Sequence, residues 1–247
     1  VYSSVEWQKA HRQAPPDKKP RPDQVRTYEC PCDDQYALAR WLGYWGIKKL
    51  YQTASWRDIA SPEVLSVYKT CIDNLSYYVQ TGSGLYIQGG HGLGKSLVCA
   101  LIAKEAIKAG HLVRFSTFVD LLAQHESTYK GNQTEEAKRW FREEVQDVDL
   151  LVIDDLGREN QMNAPSHVVV QRLVSELIRQ RDQRGKSTFV SANLFAHKID
   201  ERYGTDVGSL VDGNFDVVTL QGEDYRNQLA TRRATERRLK LTRPILI

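Results

Sequence analysis

The stretch Leu85-Tyr86-Ile87-Gln88-Gly89-Gly90-His91-Gly92-Leu93-Gly94-Lys95-Ser96-Leu97 decides the fold. Its first three residues form a short apolar run that reads as a strand. From Lys95 an apolar helical pattern runs to Ala109 and ends at Gly110. Between them, Gly89 to Ser96 fits the spacing G-x-x-x-x-G-K-[ST]. Glycines at these places allow torsions that turn successive backbone N–H groups inward, toward phosphate oxygens. The helix that follows adds its positive N-terminal end. In that arrangement Lys95 reaches β- and γ-phosphates and the Ser96 hydroxyl holds Mg²⁺, so ATP and Mg²⁺ are the implied ligands. The candidate cradle is Gly89, Gly90, His91, Gly92, Leu93, Gly94, Lys95, Ser96 and Leu97. The His91 side chain reads as an exposed loop residue with no role. The bland alternative, a glycine-rich turn with an exposed lysine, does not account for the strand before and the helix after.

Asp149-Leu150-Leu151-Val152-Ile153-Asp154-Asp155 supplies the partner motif. A continuous apolar run is expected of a parallel strand covered on both faces. Such a strand does not end in two carboxylates without compensation, because unpaired buried charge is expensive. A magnesium ion bridging to phosphate is the compensation. Asp154 would hold it, directly or through water, and Asp155 would orient or deprotonate the attacking water. A third strand, Phe189-Val190-Ser191-Ala192-Asn193, ends in an amide. If that strand lies between the other two, Asn193 faces the γ-phosphate and the water, where an amide can donate and accept at once. Asparagine is also common at strand ends for purely local reasons.

Outward from these motifs, strands alternate with helices. Helical patterns cover 95–109, 119–125, 134–146 and 165–184; strands cover 85–87, 112–116, 150–153, 188–191 and 216–220; a basic helix follows over about 224–240. Such alternation predicts a parallel sheet with helices on both faces. Before the first strand, two helices are expected at 34–45 and 62–80. Ser61 would cap the second and Pro62 suits its first turn. Trp41 and Trp45 fall at helical spacing with Leu38 and Leu42, which suits a core or partner face better than base stacking on nucleic acid. Residues 12–27 hold four prolines and read as a linker. The expected divisions are a basic proline-rich linker at 1–27, an N-terminal element at 28–60, the main domain at 61–226 and a basic tail at 227–247.

The 247 residues carry a formal net charge of only +3, but it is unevenly spread. Residues 1–27 hold six Lys/Arg and three Asp/Glu. Residues 226–247 hold seven and one. The stretch between is left with 21 bases and 27 acids. An acidic body thus carries basic ends, which are either solvated or meet a polyanion. Apolar content of 41% and charged content of 26% are ordinary for a globular chain. No apolar run approaches the length of a membrane helix and no signal pattern is visible, so the expectation is a cytoplasmic protein without a membrane partner. Four cysteines make no disulfide framework at this length. Cys30-Pro-Cys32 is either a pair of free thiols or half of a zinc site.

The order of the phosphate loop, "LLVIDDLG", "TFVSANL" and "LQGEDYR" resembles the AAA+ ATPases of the DnaC/DnaI helicase-loader type and is similar to the related IstB-type ATPases of transposition. "YQTASWRDI" at 51–59 resembles the segment that precedes the loaders' ATPase domain. "ECPC" at 29–32 resembles the end of a zinc-binding element that some of them carry, with Cys30 and Cys32 as the possible zinc ligands. The resemblance covers about 50–226. It implies an α/β fold, a P-loop NTPase (AAA+) core with a five-stranded parallel sheet flanked by helices, a small helical N-terminal extension and no C-terminal lid domain. It further implies head-to-tail homo-oligomers with ATP between subunits. An arginine contacting phosphate from the same subunit maps to Arg226; the alternative for that residue is a solvated helix charge.

Two departures bear on rate. Where the family places a trans-acting arginine, this chain has Leu210, with Arg202 the nearest base; Asp155 stands where most AAA+ proteins have Glu. Both favour a slow switch over a fast motor. The implied function is an ATP-dependent replication factor that engages single-stranded DNA and loads or remodels a hexameric replicative helicase. The alternatives are an IstB-like regulator that forms filaments on duplex DNA and recruits a transposase, and a nucleotide-gated adaptor with little hydrolysis. Arg233 and Arg237 of the tail are helical neighbours on one face, either solvated or facing phosphates or a partner.

Overall fold

Five parallel strands form one sheet in the order β2-β3-β4-β1-β5. They are β1 (Gly84–Gly89), β2 (Val113–Thr117), β3 (Leu150–Leu156), β4 (Ser187–Ala192) and β5 (Phe215–Leu220). The computed structural model describes residues 31–129, 135–158, 167–226, 230–231, 234–235, 238–239 and 244–245. The proposed linker at 1–27, Cys30, and Arg232, Arg233 and Arg237 lie outside the described residues. The phosphate-loop strand β1 is flanked by β4 and β5, and β4 separates it from β3. The strand carrying Asn193 therefore lies between the two motif strands.

Alternation along each strand sends side chains to two cores. Leu85, Ile87, Leu150, Val152 and Phe189 enter one; Tyr86, Leu151, Ile153 and Val190 enter the other. The first core is covered by α5 (Lys95–Lys108) and by helices that precede the sheet: α1 (Pro31–Tyr44), α2 (Lys49–Gln52), α3 (Pro62–Asp73) and α4 (Leu75–Thr81). The second is covered by α6 (Phe118–Tyr129), α7 (Glu135–Phe141), α8 (His167–Gln183), α9 (Ile199–Tyr203) and α10 (Thr205–Asn214). Trp41 and Trp45 are buried in the first core, which settles their alternative: neither ring is open to a base.

Strand β2 is an edge, and edges need cover. The Phe115 N–H donates to Trp45 O at 2.8 Å, so the end of α1 shields it. Gly46 makes this approach possible, since a Cβ there would collide with the Phe115 carbonyl.

The elements depart from expectation in three places. The helix expected over 62–80 is two helices broken at Asn74, whose side chain donates to Thr70 O at 2.8 Å and so competes with the helical ladder. The helix expected over 119–125 extends across Phe118–Tyr129. Helices α2, α9 and α10 carry no sequence signal long enough to read; α10 also contains Gly208 and Gly213. Of the helix expected over 224–240, the described residues are mostly helical.

Candidate nucleotide-binding site

A cleft of about 690 Å³ opens at the carboxyl ends of the strands, between the phosphate loop and the segment 49–54. Open parallel sheets bind ligands at this edge. His91, Gly92, Leu93, Gly94, Lys95, Ser96 and Leu97 line it, with Asp155, Asn193 and Arg226.

Lys95 opens α5 directly after Gly94, whose φ of +87° turns the chain into the helix. The buried Lys95 Nζ donates to Gly89 O at 2.8 Å, Gly90 O at 2.6 Å and Asn193 Oδ1 at 2.7 Å. These three bonds use all three ammonium protons. Burial holds its pKa below the ordinary lysine value; the Asp155 and Asp154 charges oppose that shift, and Arg226 reinforces it. The outer lip of the loop is fastened to the segment after β5. Tyr225 N–H donates to Gly92 O at 3.2 Å, and the Asp224 carboxylate lies against Gly92, leaving no room for a Cβ. Arg226 follows, its side chain mostly exposed at the cleft.

The two carboxylates are set by a break in the ladder. Ile153 pairs with Val190, but the next pair is Leu156 with Ala192, so β3 carries one extra residue. This bulge falls on Asp154 and Asp155, and bulges re-aim side chains. Asp155 has φ +59°, the only positive φ among described non-glycine residues. Its N–H donates to Ser191 Oγ at 3.1 Å, and the Ser191 hydroxyl donates to Asp154 Oδ1 at 2.6 Å. One hydroxyl therefore couples both acids. Asp154 is 2% exposed. Burial raises its pKa, while hydrogen bonds from Ser191 and Ser96 pull the other way. Arg158 Nη1 donates to Asp155 Oδ2 at 2.9 Å.

The far wall is held by Lys104, about two and a half turns along α5 and 4% exposed. Its Nζ donates to Gln52 O and Ala54 O, both at 2.9 Å. Burial pulls its pKa down to about 8.

The structure thus brings together Lys95, Ser96, Asp154, Asp155, Asn193 and Arg226. Leu210 packs against the second core and presents no charge. Of the CPC pair, Cys30 is outside the described residues and only the backbone of Cys32, in the first turn of α1, is described. Among the described residues no group of three His, Cys, Asp or Glu could hold a metal ion. Likewise, no described helix is long and apolar enough to cross a membrane. Sequence reasoning missed Ser191, Arg158, Asp224 and Lys104. For two of these a signal existed: Ser191 is a polar residue inside an apolar strand, and Lys104 a cation on a helix apolar on nearly every side.

The model of the IstB-like ATP binding protein family matches residues 69–231, more than half of the chain. Among curated relatives, the replicative helicase loader DnaI of Bacillus subtilis (strain 168) is 23% identical over 191 residues, covering 72% of this chain and 58% of that protein. The chain therefore spans less than two thirds of that relative. The replicative helicase loader DnaC of Buchnera aphidicola subsp. Baizongia pistaciae (strain Bp) is 24% identical over 198 residues, covering 78% of this chain and 77% of that protein. Among solved structures, the crystal structure of the DnaC helicase loader superposes with a TM-score of 0.56 at 23% identity, over 70% of this chain and 100% of that one. The AAA+ core expected from the sequence, five parallel strands flanked by helices with a small helical extension before them, is the fold found. With its phosphate loop, acidic strand end and Asn193 strand all inside the matched segment, the chain belongs to the IstB-like ATP binding protein family.

Proposed function

We propose that this chain is a Mg²⁺-dependent ATPase that uses ATP binding between subunits to load or remodel a replicative helicase on single-stranded DNA. The observation that carries the nucleotide part is the Lys95–Asn193 bond of 2.7 Å, which joins the phosphate loop to the neighbouring strand end beside two carboxylates. A triphosphate offers Lys95 stronger, charged acceptors than the carbonyls and amide it holds here. ATP would lie with its phosphates over residues 89–97 and its base toward 49–54. Arg226 would contact phosphate from the same subunit.

The donor set fits a magnesium ion. Ser96 and Asp154 are hard oxygen donors already in contact, and Asp154 is a carboxylate whose charge burial disfavours. Mg²⁺ there would be held by Ser96 and Asp154, directly or through water, and would neutralise charge developing across the β- and γ-phosphates. Asp155 orients the attacking water and accepts its proton, and Asn193 spans water and γ-phosphate. With Leu210 at the position of the trans arginine, turnover by the isolated protein is slow.

The loader reading is supported by the two helicase loaders among the relatives. The family match favours a second reading, an IstB-like regulator that assembles with ATP on duplex DNA and recruits a transposase. The test has two parts. Lys95→Ala abolishes ATP binding, measured by fluorescent-nucleotide titration, and Asp155→Asn binds ATP but does not turn it over. Unchanged affinity in the Lys95 variant would refute the phosphate-loop assignment. Co-purification with a hexameric helicase then supports the loader; long ATP-dependent filaments on duplex DNA support the second reading.

A further inference from the structure

Two cations that bond to groups of the site, Lys95 and Arg158, are engaged by oxygens of their own chain. Lys95 is bound by two carbonyls and Asn193; Arg158 is bound to Asp155 Oδ2 at 2.9 Å. The second pairing bears on the role given to Asp155, because one of its two carboxylate oxygens is held by a guanidinium. The bulge and the left-handed backbone at Asp155 aim that carboxylate at the turn that carries Arg158, and Gly157, at φ +95°, lets the turn fold back. The pair is also weak by construction. Its side chains are 39% and 29% exposed, and solvent screens ion pairs of that exposure so that they contribute little. A γ-phosphate, with up to two negative charges and three acceptor oxygens, competes well for the same guanidinium. Leu210, partly buried against the second core, supplies no cation for it.

We infer that Arg158 is the γ-phosphate-responsive cation of this site, an inference that rests on the ATPase reading. Without a γ-phosphate the guanidinium holds Asp155 Oδ2 and keeps that oxygen from water. When ATP binds, the guanidinium transfers to a γ-phosphate oxygen. One side-chain movement then adds positive charge to the transferring phosphoryl group and frees Asp155. The water oxygen bonds to the γ-phosphorus as the bond to the bridging oxygen breaks. ADP departs with that electron pair, and the water proton passes to Asp155 and then to phosphate or solvent. Arg158 thus acts in cis at the step for which the family resemblance implies an arginine from a neighbour.

The test uses the full chain with Arg158→Ala and Arg158→Lys. Affinities for ADP and for a non-hydrolysable ATP analogue are measured with Mg²⁺, together with kcat and KM for ATP. In the alanine variant, analogue affinity falls about tenfold while ADP affinity changes less than about twofold, and kcat falls by about tenfold or more. The lysine variant, which keeps a charge, recovers part of both. Equal loss for ADP and the analogue, no loss for either, or a raised kcat at unchanged analogue affinity overturns the inference. The last of these would make Arg158 a brake alone. A wild-type chain that binds the analogue without turnover refutes the ATPase reading but not the cation assignment, which the affinity ratio still decides. A wild-type chain that binds no nucleotide overturns both. Arg158 is partly exposed, so unfolding midpoints close to wild type exclude misfolding as the cause.

Discussion

Ser191 shows how a small residue organises the site. Its hydroxyl accepts from the Asp155 N–H and donates to Asp154 Oδ1, so the bulged backbone and the buried acid share one partner. It is fully buried. Ser191→Ala would leave one buried donor and one buried acceptor each short of a partner, which costs about 1–3 kcal/mol. The expected outcome is an unfolding free energy lower by that amount, read as a reduced urea midpoint at unchanged denaturant slope, together with weaker Mg²⁺-dependent nucleotide binding. An unchanged midpoint would show that other groups satisfy both atoms. At this scale the sequence was informative where a residue type is chemically committed. Lys95, Asp154 and Asp155 could be read because closely spaced glycines and acids ending an apolar strand are both costly unless a ligand compensates them. Ser191 could not, since a serine in a strand is compatible with many roles until the register puts it opposite a bulge. Arg158 and Asp224 were illegible for a related reason. Each acts through a turn that brings it back onto a loop or an acid, and turn geometry leaves no periodic trace.

At the scale of elements, α5 works from both ends. Its N-terminus opens the phosphate loop, and Lys104 on the same helix holds the carbonyls of Gln52 and Ala54. The wall of the cleft opposite the loop is thereby tied to the helix that carries the loop. The N-terminal segment is tied a second time: Tyr44 OH donates to Glu144 Oε1 at 2.8 Å, and Arg114 joins Glu144 Oε2 at 3.3 Å and Tyr44 O at 2.8 Å. Lys104 makes the first tie testable by pH. Its pKa is about 8 in the folded chain against an ordinary 10.5. Between those values the unfolded chain holds more protons than the folded one, so stability rises with pH across that window. Below about pH 8 both states are protonated and the cost of burying the charge is fully present. The expected result is that Lys104→Met removes this rise, seen as the difference between wild-type and variant urea midpoints from pH 7 to 10. A difference that stays flat would show that burial does not lower the Lys104 pKa. The sheet and the long helices were legible from period and punctuation, whereas α2, α9 and α10 were not, because four to ten residues hold too few turns to show a periodic face. The break at Asn74 was hidden because apolar spacing continues across it.

For the whole molecule, charge is separated along the chain: an excess of six acids over bases in residues 28–225, and basic segments on either side. Part of the acidic side of that count lies at the site, in Asp154 and Asp155. Pairs such as Glu144 with Arg114 and Asp149 with Lys186 cancel within the body and leave that excess unchanged. The basic stretch from Arg226 onward starts at the lip of the nucleotide cleft, and Arg226 itself lines that cleft. Anything that repositions Arg226 on phosphate therefore also repositions the start of the basic tail. If the tail contacts DNA, nucleotide state and DNA affinity are linked, and each must strengthen the other by the same factor. Its contacts would be to phosphates, so affinity should fall steeply with salt, with a log–log slope of about 0.9 per phosphate neutralised on duplex and about 0.7 on single strands. Replacing Arg232, Arg233, Arg237 and Arg238 by Gln should lower that slope by about three to four units if every one of them meets a phosphate. The same variant should lose the difference in DNA affinity between ATP-bound and nucleotide-free protein, while its ATP affinity without DNA stays within about twofold. Anisotropy titrations on a labelled oligonucleotide from 50 to 200 mM salt decide it. A slope unaffected by the four substitutions would place the DNA contact elsewhere and leave the tail as a partner-binding or solvated helix.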